Sequence, residues 1–212
     1  MMAARHLEVQ DLGLLGYGES YRVQMALVAS KEAARDERDF LLFVEHPDVI
    51  TVGRKRPKNA LLRTDVVPIE RGGEATFHNP GQLVCYPILR LREGERDLRG
   101  FLRSLEILSI DLLASFGIPA EVRSGATGVW IRDQERKIAS IGIAVRSWIT
   151  FHGLALNVYN DLSGFSQIAP CGFPPEVMTS MKEQLGERCP TMVAVKQAFA
   201  DRFRAAFGGA VG

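Results

Sequence analysis

A cysteine and a lysine carry the most chemistry in this sequence. Cys171 stands in Pro170-Cys171-Gly172-Phe173-Pro174-Pro175. Proline lacks an N–H and fixes φ, and glycine permits backbone angles closed to other residues. This segment is therefore a turn, not a helix interior or a central strand. A thiol on a turn is either an idle surface group or a nucleophile. A free thiol, with a pKa of about 8.5, is mostly protonated at neutral pH, so catalysis needs a cation or a base beside it. Lys137, in Arg136-Lys137-Ile138-Ala139-Ser140-Ile141-Gly142, offers one. It is either a gatekeeper charge at a strand end or a lysine whose apolar neighbours favour the neutral amine. Charged, it would stabilise a Cys171 thiolate; neutral, it would take a proton from an incoming amine.

A third constellation is Arg71-Gly72-Gly73-Glu74-Ala75-Thr76-Phe77-His78-Asn79-Pro80-Gly81-Gln82. Three glycines and a proline in twelve residues describe a loop whose backbone comes close to something: a hairpin connection or, given Arg71 and His78, a substrate site. It is neither a dinucleotide fingerprint nor a Walker loop. His152 lies in a strand-like run and reads as a hydrogen-bonded structural histidine; Gly153 beside it points to a close approach by ligand or backbone. His46, before Pro47, reads as a turn residue. Cys85 lies in the apolar run Leu83-Val84-Cys85-Tyr86-Pro87 and reads as core. Cys189 has no chemical neighbour in sequence. No histidine or cysteine pair has metal-ligand spacing, so no metal and no cofactor is expected.

The elements that must position these groups alternate irregularly. Leu7 to Leu15 reads as an edge strand. Ser20 to Arg38 reads as an amphipathic helix with Tyr21, Met25, Val28 and Ala29 inward. Asp39–Glu45, Val49–Gly53 and Val66–Ile69 read as short strands, with a basic loop at Arg54 to Lys58. Leu83 to Leu89 is a buried strand. Asp97 caps a long helix that buries Leu98, Phe101, Leu102, Leu105, Leu108, Leu112 and Leu113 and ends at Gly117. Strands follow at Gly128–Arg132, Ile138–Val145 and Ile149–Val158, then a last helix from Met192 to Phe207. Hairpins outnumber strict β-α-β units, which predicts an α+β fold: a mixed β-sheet flanked by helices.

The chain has 212 residues, 46% of them hydrophobic, and a formal net charge of +1. A single domain over 1–212 is expected. The charge balance supplies no field for nucleic acid or membrane. The N-terminal residues lack the apolar core of a signal peptide, no apolar run reaches membrane-span length, and three cysteines form no disulfide framework. A cytoplasmic protein is expected, and a monomer.

In this order, Glu45-His46-Pro47, Arg71-Gly72-Gly73, His78, Pro80-Gly81-Gln82-Leu83, Gly128-Val129-Trp130, Lys137 to Gly142, Phe151 to Val158 and Pro170-Cys171-Gly172 resemble the lipoyl(octanoyl) transferase family. The resemblance covers nearly the whole chain. It implies a fold like the catalytic domain of biotin and lipoate protein ligases. It implies transfer of an octanoyl group from octanoyl-acyl carrier protein to a lysine of lipoyl domains, those of 2-oxoacid dehydrogenase E2 subunits and of the glycine cleavage H protein. Cys171 matches the acyl-thioester cysteine and Lys137 the lysine that favours its thiolate. Arg71, Gly72, Gly73, Glu74, Ala75, Thr76, Phe77 and His78, with Ser140, Ile141 and Gly142 and with Gly153, Leu154 and Ala155, match segments lining the acyl site. Asn79, Cys85 and Phe173-Pro174-Pro175 depart from the family pattern and bear on pocket shape. Two rivals remain: an ATP-dependent lipoate or biotin ligase of the same fold, and a non-catalytic carrier-binding module. Cys171 and the lack of a Gly-Arg-Gly-Arg loop argue against the ligase.

Overall fold

Runs of Phe, Leu, Ile and Val are too short for buried helices, and they become the strands of one sheet. The computed structural model describes residues 5–35, 38–55, 66–168 and 174–208. Its main sheet holds β1 (Leu7–Leu14), β2 (Asp39–Glu45), β6 (Gln82–Ile88), β7 (Ala120–Arg123), β8 (Ala126–Ile131), β9 (Lys137–Arg146) and β10 (Ile149–Asn157). The spatial order is β1-β2-β6-β10-β9-β8-β7. The β1–β2 pair is parallel and every other pair antiparallel. A smaller sheet, β4 (Val67–Pro68), β3 (Val49–Val52) and β5 (Ala75–His78), lies beside it. The expected α+β architecture is thus present, with β1 at the sheet edge.

Both faces are covered. Helices α2 (Leu98–Ser115) and α4 (Met192–Phe207) pack on one face around Leu105, Leu112, Val195, Phe199 and Phe203. On the other face α1 (Tyr17–Glu32) meets Phe40, Leu42, Val84, Tyr86 and Phe151. The small sheet closes a third cluster, where Ile50 and Phe77 meet Trp130, Phe165, Ile168 and Met178. The ends of α2 follow the sequence expectation. The Asp97 side chain accepts the Arg99 N–H at 3.0 Å. At the other end Gly117, at φ 80°, lets the Ile118 N–H reach Leu113 O, the hydrogen-bonded stop that a left-handed glycine makes possible.

Two expectations need correction, and two elements went unread. The helix over 20–38 runs instead from Tyr17 to Glu32; Val28 is buried and Tyr21 and Met25 half-buried against the core, as expected, but Ala29 is exposed and Tyr17, Ser20, Gln24 and Lys31 are buried as well. Polar groups on that face have specific partners, although the buried Gln24 Nε2 has none. Gln24 holds the His152 backbone, and Lys31 pairs with Asp39 at 2.8 Å. The glycine-rich stretch 71–82 is not all loop, since Ala75–His78 forms β5, paired with β3. Strand β7 and the short helix α3 (Met181–Leu185) carry too little periodicity to be read in advance.

Candidate active site

Antiparallel pairing aligns Ser140 of β9 with Ala155 of β10, and Ala155 with Val84 of β6. These residues floor a cavity of about 280 Å³ that runs across the sheet. At one end lie Gly125, Ala126 and Thr127; at the other lie Val84, Tyr86, Tyr17 and His152. Four strands at ~4.8 Å spacing make the trough about 14 Å long.

The Arg71 loop forms one wall. The Arg71 guanidinium is buried, and Nη2 donates to Thr51 O at 3.0 Å and Thr51 Oγ1 at 3.1 Å. The Gly72 N–H donates to Ile143 O at 3.1 Å, seating the loop on β9. The seat requires Gly142: a Cβ there would lie 2.9 Å from both Arg71 Cδ and Gly72 O. Along β5 the side chains alternate. Thr76 and His78 face the cavity, whereas Ala75 and Phe77 turn into the core cluster with Phe165. Of the residues expected to line an acyl site, Ala75 and Phe77 do not reach this cavity. Arg71, Gly72, Gly73, Glu74, Thr76, His78, Ser140, Ile141, Gly142, Gly153, Leu154 and Ala155 line the cavity. The buried Thr76 Oγ1 has no hydrogen-bond partner.

Three histidines, His46, His78 and His152, are buried, and each has a lowered pKa. His46, expected on a turn, is fully buried. Its Nδ1–H donates to Leu15 O at 2.7 Å, so Nε2 accepts from Tyr86 Oη at 2.8 Å. Burial lowers its pKa. His78 donates Nδ1–H to Gln82 Oε1 at 2.6 Å, because Gln82 Nε2 is committed to Phe77 O and Asn157 Oδ1. Burial foremost, then nearby His46, takes the His78 pKa down to about 3. His152 accepts from Tyr17 Oη at Nδ1 and donates from Nε2 to Glu70, both at 3.4 Å. Burial takes its pKa down to about 4. Its backbone sits at φ 56° inside β10, and its N–H is held by Gln24 Oε1 at 2.8 Å. The expected structural hydrogen bonds are present, and the ring also lines the cavity.

Lys137 begins β9 and is 1% exposed. Its Nζ donates to Thr127 O at 2.8 Å and lies 5.6 Å from the Trp130 ring centroid. The ammonium itself is set back from the cavity, and Thr127, which it touches, lines it. Cys171 lies outside the described residues. On either side of it in the chain, Ile168 and Val177–Met178 join the cluster that contains Trp130. The Thr179 N–H donates to Lys137 O at 2.9 Å. Cys85 is core, as expected, and burial raises its thiol pKa. Among the described residues no cluster of metal-ligating side chains occurs, and no helix is long and apolar enough to cross a membrane.

Sequence reasoning missed Tyr17, Val84, Tyr86, Leu102 and Thr127 as lining residues. Tyr86 alone carried a signal: a phenol inside an apolar strand requires a buried partner.

Residues 17–204 match the model of the lipoyl protein ligase A/B catalytic domain. The chain belongs to this family. It is 47% identical over 183 residues to an octanoyltransferase of Syntrophotalea carbinolica, covering 85% of each chain. It is 42% identical over 210 residues to an octanoyltransferase of Nitratidesulfovibrio vulgaris, covering 95% of this chain and 94% of that one. In fold it is similar to a lipoate-protein ligase A bound with ATP, at TM-score 0.70 and 15% identity, over 96% of this chain and 85% of that one. It is also similar to the biotin protein ligase of Aquifex aeolicus, at TM-score 0.57 and 11% identity, over 95% of this chain and 70% of that one. The expected ligase-like architecture is thereby shown.

Proposed function

We propose that this family member transfers octanoyl from acyl carrier protein to a lipoyl-domain lysine through a thioester on Cys171, with Lys137 as its partner. Octanoyl transfer in protein lipoylation, an acyltransferase reaction, follows from the octanoyltransferase relatives. The residues and the intermediate are our reading. The observation that carries it is the trough: one end lies at the carbonyl holding Lys137, the other at an apolar and aromatic wall. Its length of about 14 Å accommodates an extended eight-carbon chain, whose seven C–C bonds reach ~8 Å at roughly 3.5 Å per three bonds.

The proton accounting needs one group. The Cys171 thiolate, stabilised by the Lys137 ammonium, attacks the carbonyl carbon of the carrier thioester. The new S–C bond forms as the bond to the pantetheine sulfur breaks, and the leaving thiolate takes a proton from Lys137. The target lysine then attacks the Cys171 thioester as a neutral amine. The C–N bond forms, the C–S bond breaks, and the neutral Lys137 accepts the proton the amine loses. Thioester becomes amide, so no ATP is consumed. The specific targets, lipoyl domains of 2-oxoacid dehydrogenase E2 subunits and the glycine cleavage H protein, belong to this proposal, as do a cytoplasmic monomer and a single domain over 1–212.

The test is intact mass after incubation with octanoyl-carrier. One octanoyl group should appear on Cys171, be removed by hydroxylamine, and pass to a lipoyl domain without ATP. Strict ATP dependence would return the ligase reading, and a Cys171→Ala variant transferring at the original rate would exclude the thioester.

A further inference from the structure

Thr127 O and the Gly128 N–H belong to one peptide group, and both ends are occupied by charges. On the carbonyl side Lys137 Nζ donates at 2.8 Å. On the amide side the Gly128 N–H donates to Glu106 Oε1 at 3.0 Å. Glu106 projects from α2 and is buried. Its other oxygen faces Arg103, an exposed partner at 3.5 Å. The stem of Lys137 is pressed on the same peptide: a Cβ on Gly128 would lie 2.6 Å from Lys137 Cε and 3.1 Å from Nζ. Gly128 has φ 121°, so only glycine serves there without strain.

We infer that Glu106 is the positioning residue for Lys137, acting through the Thr127–Gly128 peptide as a carboxylate–peptide–ammonium relay. This rests on the reading of Lys137 as the partner of Cys171. A buried carboxylate and a buried ammonium each require compensation. A single peptide between them gives each a charge-assisted hydrogen bond and is polarised from both sides, so each bond strengthens the other. The anion thereby fixes where the ammonium sits through the peptide that both of them bond. The arrangement parallels the outer carboxylates that orient metal-bound histidines. Other charges near Lys137 are engaged elsewhere. Arg123 lies over the opposite partner, the Trp130 ring, at 4.8 Å and pairs with Glu121 and Glu135, while Arg136 pairs with Glu183.

The test compares wild type, Glu106→Gln, Arg103→Gln and Lys137→Ala. The readouts are octanoyl-transfer kcat/KM against pH and the pH midpoint of Cys171 alkylation by iodoacetamide. Gln keeps the acceptor for the Gly128 N–H and removes the charge. Glu106→Gln should lower kcat/KM about 10-fold at neutral pH, the low end for outer partners of a functional group. It should raise the alkylation midpoint, in the same direction as Lys137→Ala and by less; Arg103→Gln should change neither. A Glu106→Gln midpoint equal to wild type, with Lys137→Ala shifted, overturns the relay while leaving Lys137 in its role. A midpoint unmoved in Lys137→Ala as well removes the reading of Lys137, and the relay with it. An independent readout needs no change at Glu106: the Gly128 amide proton resonance should move upfield in Lys137→Met, and an unmoved resonance also overturns the relay.

Discussion

The two ends of the trough are built from opposite materials. At the Lys137 end a buried cation is held by a backbone carbonyl, with Glu106 behind it. At the far end the rings of Tyr17, Tyr86, His78 and His152 line the cavity, with His46 bonded to the Tyr86 hydroxyl. Each of these histidines has a depressed pKa, with burial the leading cause. The contrast separates two tasks. A reacting end needs a fixed charge where a thiolate develops. An alkyl chain needs a rigid surface, and the buried histidines supply neutral rings whose nitrogens are spent on Leu15, Gln82, Tyr86, Tyr17 and Glu70.

The sharpest break in this comparison is Lys137→Ala. If the charged end does the chemistry, acylation of Cys171 should slow by ~10²–10⁴-fold, the usual contribution of a positioned acid or base; rapid-quench mass spectrometry reads it. A loss under threefold would place the proton transfers elsewhere. Next comes the seat of the Arg71 loop. Gly142→Ala puts a methyl group against Arg71 and Gly72, which costs about 1–3 kcal/mol of overpacking. KM for the octanoyl carrier should rise about 10-fold with it, measured beside thermal unfolding.

The neutral end should set chain length. Tyr86→Leu removes a ring locked by His46 and opens the wall, so the decanoyl-to-octanoyl ratio of kcat/KM should rise about tenfold. A ratio that stays put while octanoyl transfer persists would mean the chain does not end there.

The smallest effect is on acid stability. His152 has its folded pKa lowered to about 4. Below about pH 6.5 the unfolded chain takes up a proton that the folded protein refuses. Stability from this group is therefore complete above pH 6.5 and is lost as pH falls towards 4, by at most about 2 kcal/mol at pH 5. His152→Gln should flatten that slope in urea unfolding at pH 5 and 7, and an unchanged slope would assign the acid sensitivity to His78 and His46.

Much of the scaffold was readable because local physics governs it. Asp97 and Gly117 bound α2 in sequence and in space, for reasons contained within a few residues of each. The apolar runs at Phe40–Val44, Leu83–Ile88 and Ile149–Leu156 had to be buried strands. Strand β5 was hidden because its glycine-rich approach resembles a loop, and its pairing partner Val49–Val52 is remote in the chain. The inward face of α1 was read only in part for a related reason. A hydrophobic stripe search looks for apolar residues, and this helix also buries Gln24 against His152, far along the chain, and Lys31 against Asp39 of the next strand.

The same division holds for the site. The sequence by itself determined the reactive types: a lysine opening an apolar strand, a glycine-rich loop with Arg71 and His78, and a thiol between prolines. These follow from backbone chemistry and side-chain identity, which need no neighbours. Only the tertiary structure decided that Thr76 and His78 face the cavity while Ala75 and Phe77 do not, since strand alternation acts only once the register with β3 is set. It alone brought His46 to the Tyr86 hydroxyl and turned the Tyr86 ring to the cavity. It alone placed Glu106 of a helix behind the peptide that holds Lys137. Hydrogen bonds between residues tens of positions apart exist only after the strands and helices have packed, and no local pattern encodes them.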